Sequence, residues 1–245
     1  VYNEGNHMPL KGKYAVLRHD VDRKPKNSLN MAIIEHNFNA IGTYYFRMTE
    51  KSYNPIIMEK ISHLNHEIGY HYEDVDNALY FFRKKGIKNF TEDELLDKAY
   101  EIFCKNLNIF RENFDIKTIT MHGSPLSRVD NKLLWKKFNY KKLGIICEPY
   151  LDIDYSSISY LTDTGRSWGK AVSIRDYVKS DFEYDFNNTD DIIKGLNKLS
   201  DRVIFTIHPE RWTNRPSEWV NSLVTQKVKN IIKFFLLKTN YYESY

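Results

Sequence analysis

Tyr14-Ala-Val-Leu-Arg-His-Asp20-Val-Asp22-Arg23 runs an apolar strand straight into two carboxylates. Three further segments share this design: His66-Glu-Ile-Gly-Tyr-His71-Tyr-Glu73, Ile116-Lys-Thr-Ile-Thr-Met-His122-Gly123 and Arg202-Val-Ile-Phe-Thr-Ile-His208-Pro-Glu210. Each is an apolar run that ends in histidine or carboxylate. Four such endings on successive strands point to one site that gathers Asp, His and Glu, the donor set of a hydrolytic zinc or a similar ion.

Between these segments lie helical patterns, and the alternation argues for an α/β fold with a mainly parallel sheet. Strands are expected over Tyr14–Asp22, Gly42–Met48, Ile68–Tyr72 and Ile116–Met121. Short ones are expected at Leu143–Cys147, Ile158–Thr162 and Ala171–Ile174, and the last is Arg202–Ile207. Helices are expected over Asn27–Phe38, with Leu29, Ile33 and Ile34 at helical spacing, and after Asn54-Pro55, a cap followed by a first-turn proline. The capping box Thr91-Glu-Asp-Glu94 opens a long helix to about Phe114. Asn131–Phe138 and Asp190–Leu199 follow, and Ser217 caps a final helix to about residue 240. Its Val220, Val224, Val228, Ile231, Phe235 stripe reads as core-facing. The whole reads as a single domain over 1–245, a distorted TIM-like (β/α) barrel in which six or seven of these segments, seven by preference, form the strands and the site lies at their C-terminal ends. A doubly wound open sheet would place ligands at the same ends.

The chain has 245 residues, 42% hydrophobic and 15% aromatic, enough for a substantial core. Its 36 basic and 32 acidic residues are scattered, so no tract suits a nucleic-acid backbone. Cys104 and Cys147 sit in helical and strand patterns and give neither a disulfide framework nor a thiolate metal site, which fits a reducing compartment. No apolar run reaches the length of a membrane span, and the first twenty residues lack the middle of a secretory leader. A cytoplasmic location is the expectation, although an opening Val1 in place of Met fits a truncated N-terminus. The oligomeric state is not readable.

In Asp20-x-Asp22, strand alternation sends both carboxylates to one face, where they can share a cation or divide the roles of base and ligand. The plainer reading makes them caps of the helix near Asn27. His71 and Glu73 repeat the same-face geometry, whereas His66 reads as a surface or loop histidine. His122, beside Gly123, is either a ligand or a histidine that supports one. His208 at the last strand end reads as a general acid, or as a histidine capped by Glu210. Asp163-Thr-Gly-Arg166-Ser-Trp168 brings together an acid, a guanidinium and an indole, suited to a sugar or to orienting a catalytic group, or else to a buried ion pair. With Trp212, Tyr44 and Tyr72, Trp168 is a candidate stacking wall, though the tyrosines serve equally as core. His7, His36 and His63 read as solvated.

The order R-H-D-V-D, G-T-Y-Y-F, N-H-E-I-G-Y-H, M-H-G-S-P and F-T-I-H resembles the polysaccharide deacetylase superfamily, the carbohydrate esterase family 4 type, over roughly Tyr14 to Trp212. The resemblance implies a distorted barrel, a divalent metal and hydrolysis of an N- or O-acetyl group on a carbohydrate. It assigns Asp20 as catalytic base, Asp22 and His71 as metal ligands, and His208 as general acid. Val75 stands where the family has its second histidine, so the third ligand is sought in His122, with Glu73 as the alternative and Asp74 behind them. The arginine expected on the fourth strand to hold the base is missing, and Arg166 is the stand-in.

The leading expectation is a zinc-type metal-dependent hydrolase that removes an acyl group from a carbohydrate amide or ester, in surface polysaccharide metabolism. One alternative is a magnesium-dependent enzyme handling phosphate or nucleotide sugars through Asp20-x-Asp22. It would leave three histidines unemployed. The other is a carbohydrate-binding relic without turnover.

Overall fold

The computed structural model describes residues 12–123, 127, 129–166, 168, 178–184 and 186–225. Six parallel strands are present among them: β1 (Tyr14–Val21), β2 (Gly42–Phe46), β3 (Glu67–Tyr72), β4 (Ile119–Met121), β5 (Ser159–Thr162) and β6 (Arg202–Ile207). Their order is β4-β3-β2-β1-β6-β5, a curled half-barrel in which the chain starts mid-sheet and winds outward. The strand expected at Leu143–Cys147 contributes a single bridge, Thr118 to Cys147, beside β4. Tyr140–Leu143 instead forms a 3-10 turn that ends on Gly144 at φ 73°, so only the end of the segment reaches the sheet. The strand expected at Ala171–Ile174 lies outside the described residues.

Helix α1 (Pro25–Asn37) covers the start of the sheet with Ser28 and Ala32, small residues that permit close approach. Ile33 and Ile34 face away and are exposed, so their spacing misled the sequence reading. α2 (Pro55–His63) opens as expected, with Asn54 accepting from Ile57 N, and buries Ile57, Met58 and Ile61. α3 (Asp74–Lys84) was not anticipated; it buries Val75, Ala78 and Phe82 at helical spacing directly after β3. α4 (Glu92–Arg111) carries the full capping box, with Glu94 N 3.1 Å from Thr91 Oγ1 and Thr91 N 2.7 Å from Glu94 Oε2. Phe103 and Phe110 of α4 pack on Tyr70 of β3, within one core that also takes Tyr44, Phe46, Tyr72, Ile119 and Met121. Each such aromatic contributes about 1.5–3 kcal/mol by leaving water.

That packing fixes the other face. Because Tyr70, Tyr72, Ile119 and Met121 point at the helices, alternation turns His71 and Thr120 to the inside of the half-barrel. The same alternation on β1 sends Arg18 and Asp20 inward and His19 toward α1. There His19 stacks on Tyr44 at 4.2 Å and lies 2.8 Å from Glu35 Oε1. His66, expected at the surface, is buried beside them: its Nδ1 accepts from Gly42 N and its Nε2 meets Ala32 O at 3.0 Å. Both ring nitrogens find backbone partners, which is what permits the burial. His36 and His63 are exposed as expected, and His7 is outside the described residues.

Beyond the site-bearing core, the helix expected over 190–199 is Thr189–Lys194 followed by a 3-10 turn, broken at Gly195. The last helix begins at Pro216, which takes the first position in place of Ser217 as cap, and is described to 225. Val220 and Val224 are 52% and 56% exposed, so they are not core-facing; Val228, Ile231 and Phe235 lie outside the described residues. No described helix is long and apolar enough to cross a membrane.

Candidate active site

Four strand ends converge. Asp22 Oδ1 lies 3.6 Å from His71 Nε2 and 3.5 Å from His122 Nε2, and the two imidazoles meet edge to face at 5.2 Å. The carboxylates of Asp20 and Asp22 do not cap α1, whose N-cap is Lys24 with no side-chain bond. Asp22 Oδ1 is buried and has no hydrogen-bond partner. Burial raises the Asp22 pKa, but His122, His208 and His71 together hold it well below the usual carboxylate range.

His71 is buried, and burial pushes its pKa down to about 4, so it is neutral at pH 7. Its Nδ1 lies 3.0 Å from Thr120 O, a carbonyl that can only accept; the proton therefore sits on Nδ1, and Nε2 presents its lone pair to Asp22. This is the arrangement by which proteins orient a metal-binding histidine. His122 turns Nε2 the same way, with Nδ1 3.0 Å from Glu73 Oε2, in ion-pair contact though outside hydrogen-bond geometry. Glu73 is spoken for: Arg47 grips it through Nε to Oε1 at 3.1 Å and Nη2 to Oε2 at 2.6 Å. Val75 is fully buried in the apolar core, and Asp74 bonds Tyr70 and Asn106 on the helix side of the sheet, so neither reaches the cluster.

The fit to a divalent ion can be judged on these distances. A tetrahedron with bonds of about 2.1 Å has edges of about 3.4 Å. Both separations from Asp22 Oδ1 lie within tenths of an ångström of that. Among the described residues, no three His, Cys, Asp or Glu side chains are placed closely enough to hold a metal ion as they stand. The donor types, the bare Nε2 of His71 and the Asp22 oxygen without a hydrogen bond are nevertheless of the kind that suits the group.

Asp20 lies beneath this cluster, with Oδ2 3.8 Å from His71 Nε2. It is held by Arg18, two residues earlier on the same face of β1, through Nε to Oδ1 at 2.9 Å and Nη2 to Oδ2 at 2.7 Å. Burial opposes ionisation of Asp20, but Arg18 and His71 keep its pKa lowered. Arg166, the expected stand-in, is elsewhere: it donates to Arg211 O and Ser222 Oγ and lies over Trp219. Arg18 was legible as a same-face neighbour of Asp20.

His208 sits across the cluster, bonded through Nδ1 to Asp163 Oδ1 at 2.6 Å. Burial and Arg211 lower its pKa, but Asp163 outweighs them and raises it to about 9, so it carries its proton at neutral pH. Glu210 is not its cap. Asp163 also takes Arg211 Nη1 at 2.8 Å and Trp212 Nε1 at 2.9 Å, so its arginine partner is Arg211 and not Arg166. Glu210 itself is buried with no hydrogen bond at Oε2, and burial and Asp22 raise its pKa; the sequence reading had offered it only as a cap for His208. Trp168 is buried against Leu161, Phe186 and Ile192, and Tyr44 and Tyr72 are core, which leaves Trp212 as the exposed indole at the rim.

No family model and no curated protein matches the chain. Solved structures do. A CE4 family pseudoenzyme from Bacillus anthracis is 14% identical with a TM-score of 0.44, over 89% of this chain and 62% of that one. The catalytic domain of a peptidoglycan N-acetylglucosamine deacetylase from Eubacterium rectale is 12% identical with a TM-score of 0.46, over 91% and 87%. A CE4 esterase from Streptococcus mutans is 13% identical with a TM-score of 0.46, over 94% and 84%. The chain spans 62–64% of the length of the pseudoenzyme structures it matches. What the chain itself can do is carried by its own side chains; the solved structures similar to it include CE4 family proteins, a pseudoenzyme among them, and a peptidoglycan deacetylase domain.

Proposed function

We propose that this is a metal-dependent acyl hydrolase site, with Asp22, His71 and His122 as ligands of a divalent ion, zinc before others, and a carbohydrate amide or ester as substrate. The observation that carries the reading is Asp22 Oδ1: a buried carboxylate oxygen without a hydrogen bond, facing two imidazole Nε2 atoms at 3.5 and 3.6 Å, with Arg47 Nη1 at 3.9 Å. A bound ion would polarise the acyl carbonyl and lower the pKa of water.

The remaining work falls to two groups of opposite protonation. Asp20, kept ionised by Arg18, takes a proton from the attacking water, whose oxygen bonds to the acyl carbon. His208, protonated and fixed by Asp163, donates its Nε2 proton to the sugar nitrogen or oxygen as its bond to the acyl carbon breaks. Base and acid are thus separate groups whose environments push their pKa values apart, as such a reaction requires. Trp212, half exposed beside Asp163, offers a face on which a sugar can stack.

Elemental analysis of the purified protein, together with acetate release from N-acetylated oligosaccharides, tests the reading. A stoichiometric divalent ion in the unaltered chain, lost in Asp22→Ala and His71→Ala while the fold persists, is the expected result. Full occupancy in both variants would remove these residues from the coordination shell. Metal retention without turnover on any acylated carbohydrate would favour a binding relic.

A further inference from the structure

The family-type position for the third ligand is filled by Val75, and the side chain that faces Asp22 in its place, His122, has its own apparatus behind it. His122 lies at the end of β4, its backbone N bonded to Tyr72 O at 2.7 Å and its O accepting Asn131 Nδ2 at 3.0 Å. Behind Nδ1 stands Glu73, and behind Glu73 the two-pronged grip of Arg47. Arg47 is anchored in turn: its backbone N donates to Ser52 Oγ at 3.0 Å, and the Ser52 hydroxyl donates to Val21 O, next to Asp22. One serine therefore ties the end of β2, which carries Arg47, to the end of β1, which carries Asp22.

Resting on the metal-centre reading above, we infer that Arg47 and Glu73 are positioning residues that set the cation affinity of His122 without touching the ion. The Glu73 carboxylate, 3.0 Å from Nδ1, favours the tautomer with its proton on that nitrogen, which leaves Nε2 facing Asp22 as the ligating atom, and the guanidinium fixes the carboxylate in that place. A carboxylate–histidine–metal relay of this kind is worth about 10- to 100-fold in metal affinity. The alternative for Glu73, direct ligation, conflicts with its two oxygens already being paired with Arg47.

The test is zinc affinity by chelator competition, with the absorption spectrum of the cobalt-substituted protein as a second readout, on the full chain and on Glu73→Gln and Arg47→Met. The expectation is zinc binding weakened about 10- to 100-fold in both folded variants, with an unchanged ligand-field spectrum at saturating cobalt. Unchanged affinity in either folded variant would overturn the relay while leaving the metal centre standing. A Glu73→Gln spectrum showing an altered ligand set would also overturn it, by making Glu73 a ligand. If the unaltered chain binds neither zinc nor cobalt, the metal-centre reading fails, and the relay with it. Should Glu73→Gln not fold, Arg47→Met alone decides.

Discussion

Arg18 and Asp20 form a two-pronged ion pair within a single strand, 2.9 and 2.7 Å long, both side chains almost wholly buried inside the half-barrel. A strand places residues two apart on one face, so this pairing is local in sequence and strained by no loop closure. Its cost is desolvation of two charges, met by close geometry and by the Tyr150 hydroxyl at 3.2 Å from Arg18 Nη2. Arg18→Met leaves Asp20 buried without its cation. The chain should lose about 3–5 kcal/mol of stability in urea titration, and a loss under 1 kcal/mol, well below that range, would show that the pair contributes little to folding.

Asp20 should matter to turnover far more than to metal retention. Asp20→Asn keeps the shape and the hydrogen bonds to one side of Arg18 but removes the base. Acyl release should fall by about a hundredfold or more, the scale of a positioned general base, with metal content unchanged. Near-normal turnover would reassign Asp20 as a spectator or ligand.

Gly69 tests the packing that supports this pair. A β-carbon at that position would collide with the Tyr45 ring, and Tyr45 in turn lies beside Arg18, 5.8 Å from ring centre to guanidinium. The ring is buried and cannot swing clear, so Gly69→Ala should destabilise the fold by about 1–3 kcal/mol through overpacking. A variant as stable as the parent in thermal unfolding would mean that Tyr45 has room to move.

Much of the site was legible because strand alternation is a strict rule. Asp20, Asp22, His71, His122 and His208 could be assigned to strand ends because each closes an apolar run, and they do lie together. What escaped was pairing across the chain. Asp163 meets His208 and Arg211 from 45 and 48 residues away, and nothing local distinguishes that from pairing with the nearby Arg166. Arg18 escaped for the opposite reason, since the resemblance directed attention to the fourth strand when the needed guanidinium stood two residues from the base. Helix faces were the weakest reading. Ile33 and Ile34 keep helical spacing yet are exposed, because Ser28 and Ala32, with the partly buried Leu29, form the contact of α1, and Val220 and Val224 are exposed as well.

The pairing of His208 with Asp163 sets a pH window that can be measured. Burial and Arg211 lower the His208 pKa, but Asp163 carries it up to about 9, against about 6.5 for an unfolded histidine. A pKa raised on folding means that protonation stabilises the folded chain; that contribution is fully present below about pH 6.5 and is lost as pH rises through 9. Stability of the metal-free chain should therefore decline between about pH 6.5 and 9, and the alkaline limb of acyl release should lie near pH 9. Asp163→Asn removes the charge that raises His208. It should move both the stability decline and the alkaline limb toward lower pH, while Trp212, which also donates to Asp163, keeps an acceptor at the same place. Titration of the His208 ring by NMR in the two proteins checks the assignment directly. A limb that stays near pH 9 in Asp163→Asn would show that the proton given to the leaving group does not come from His208.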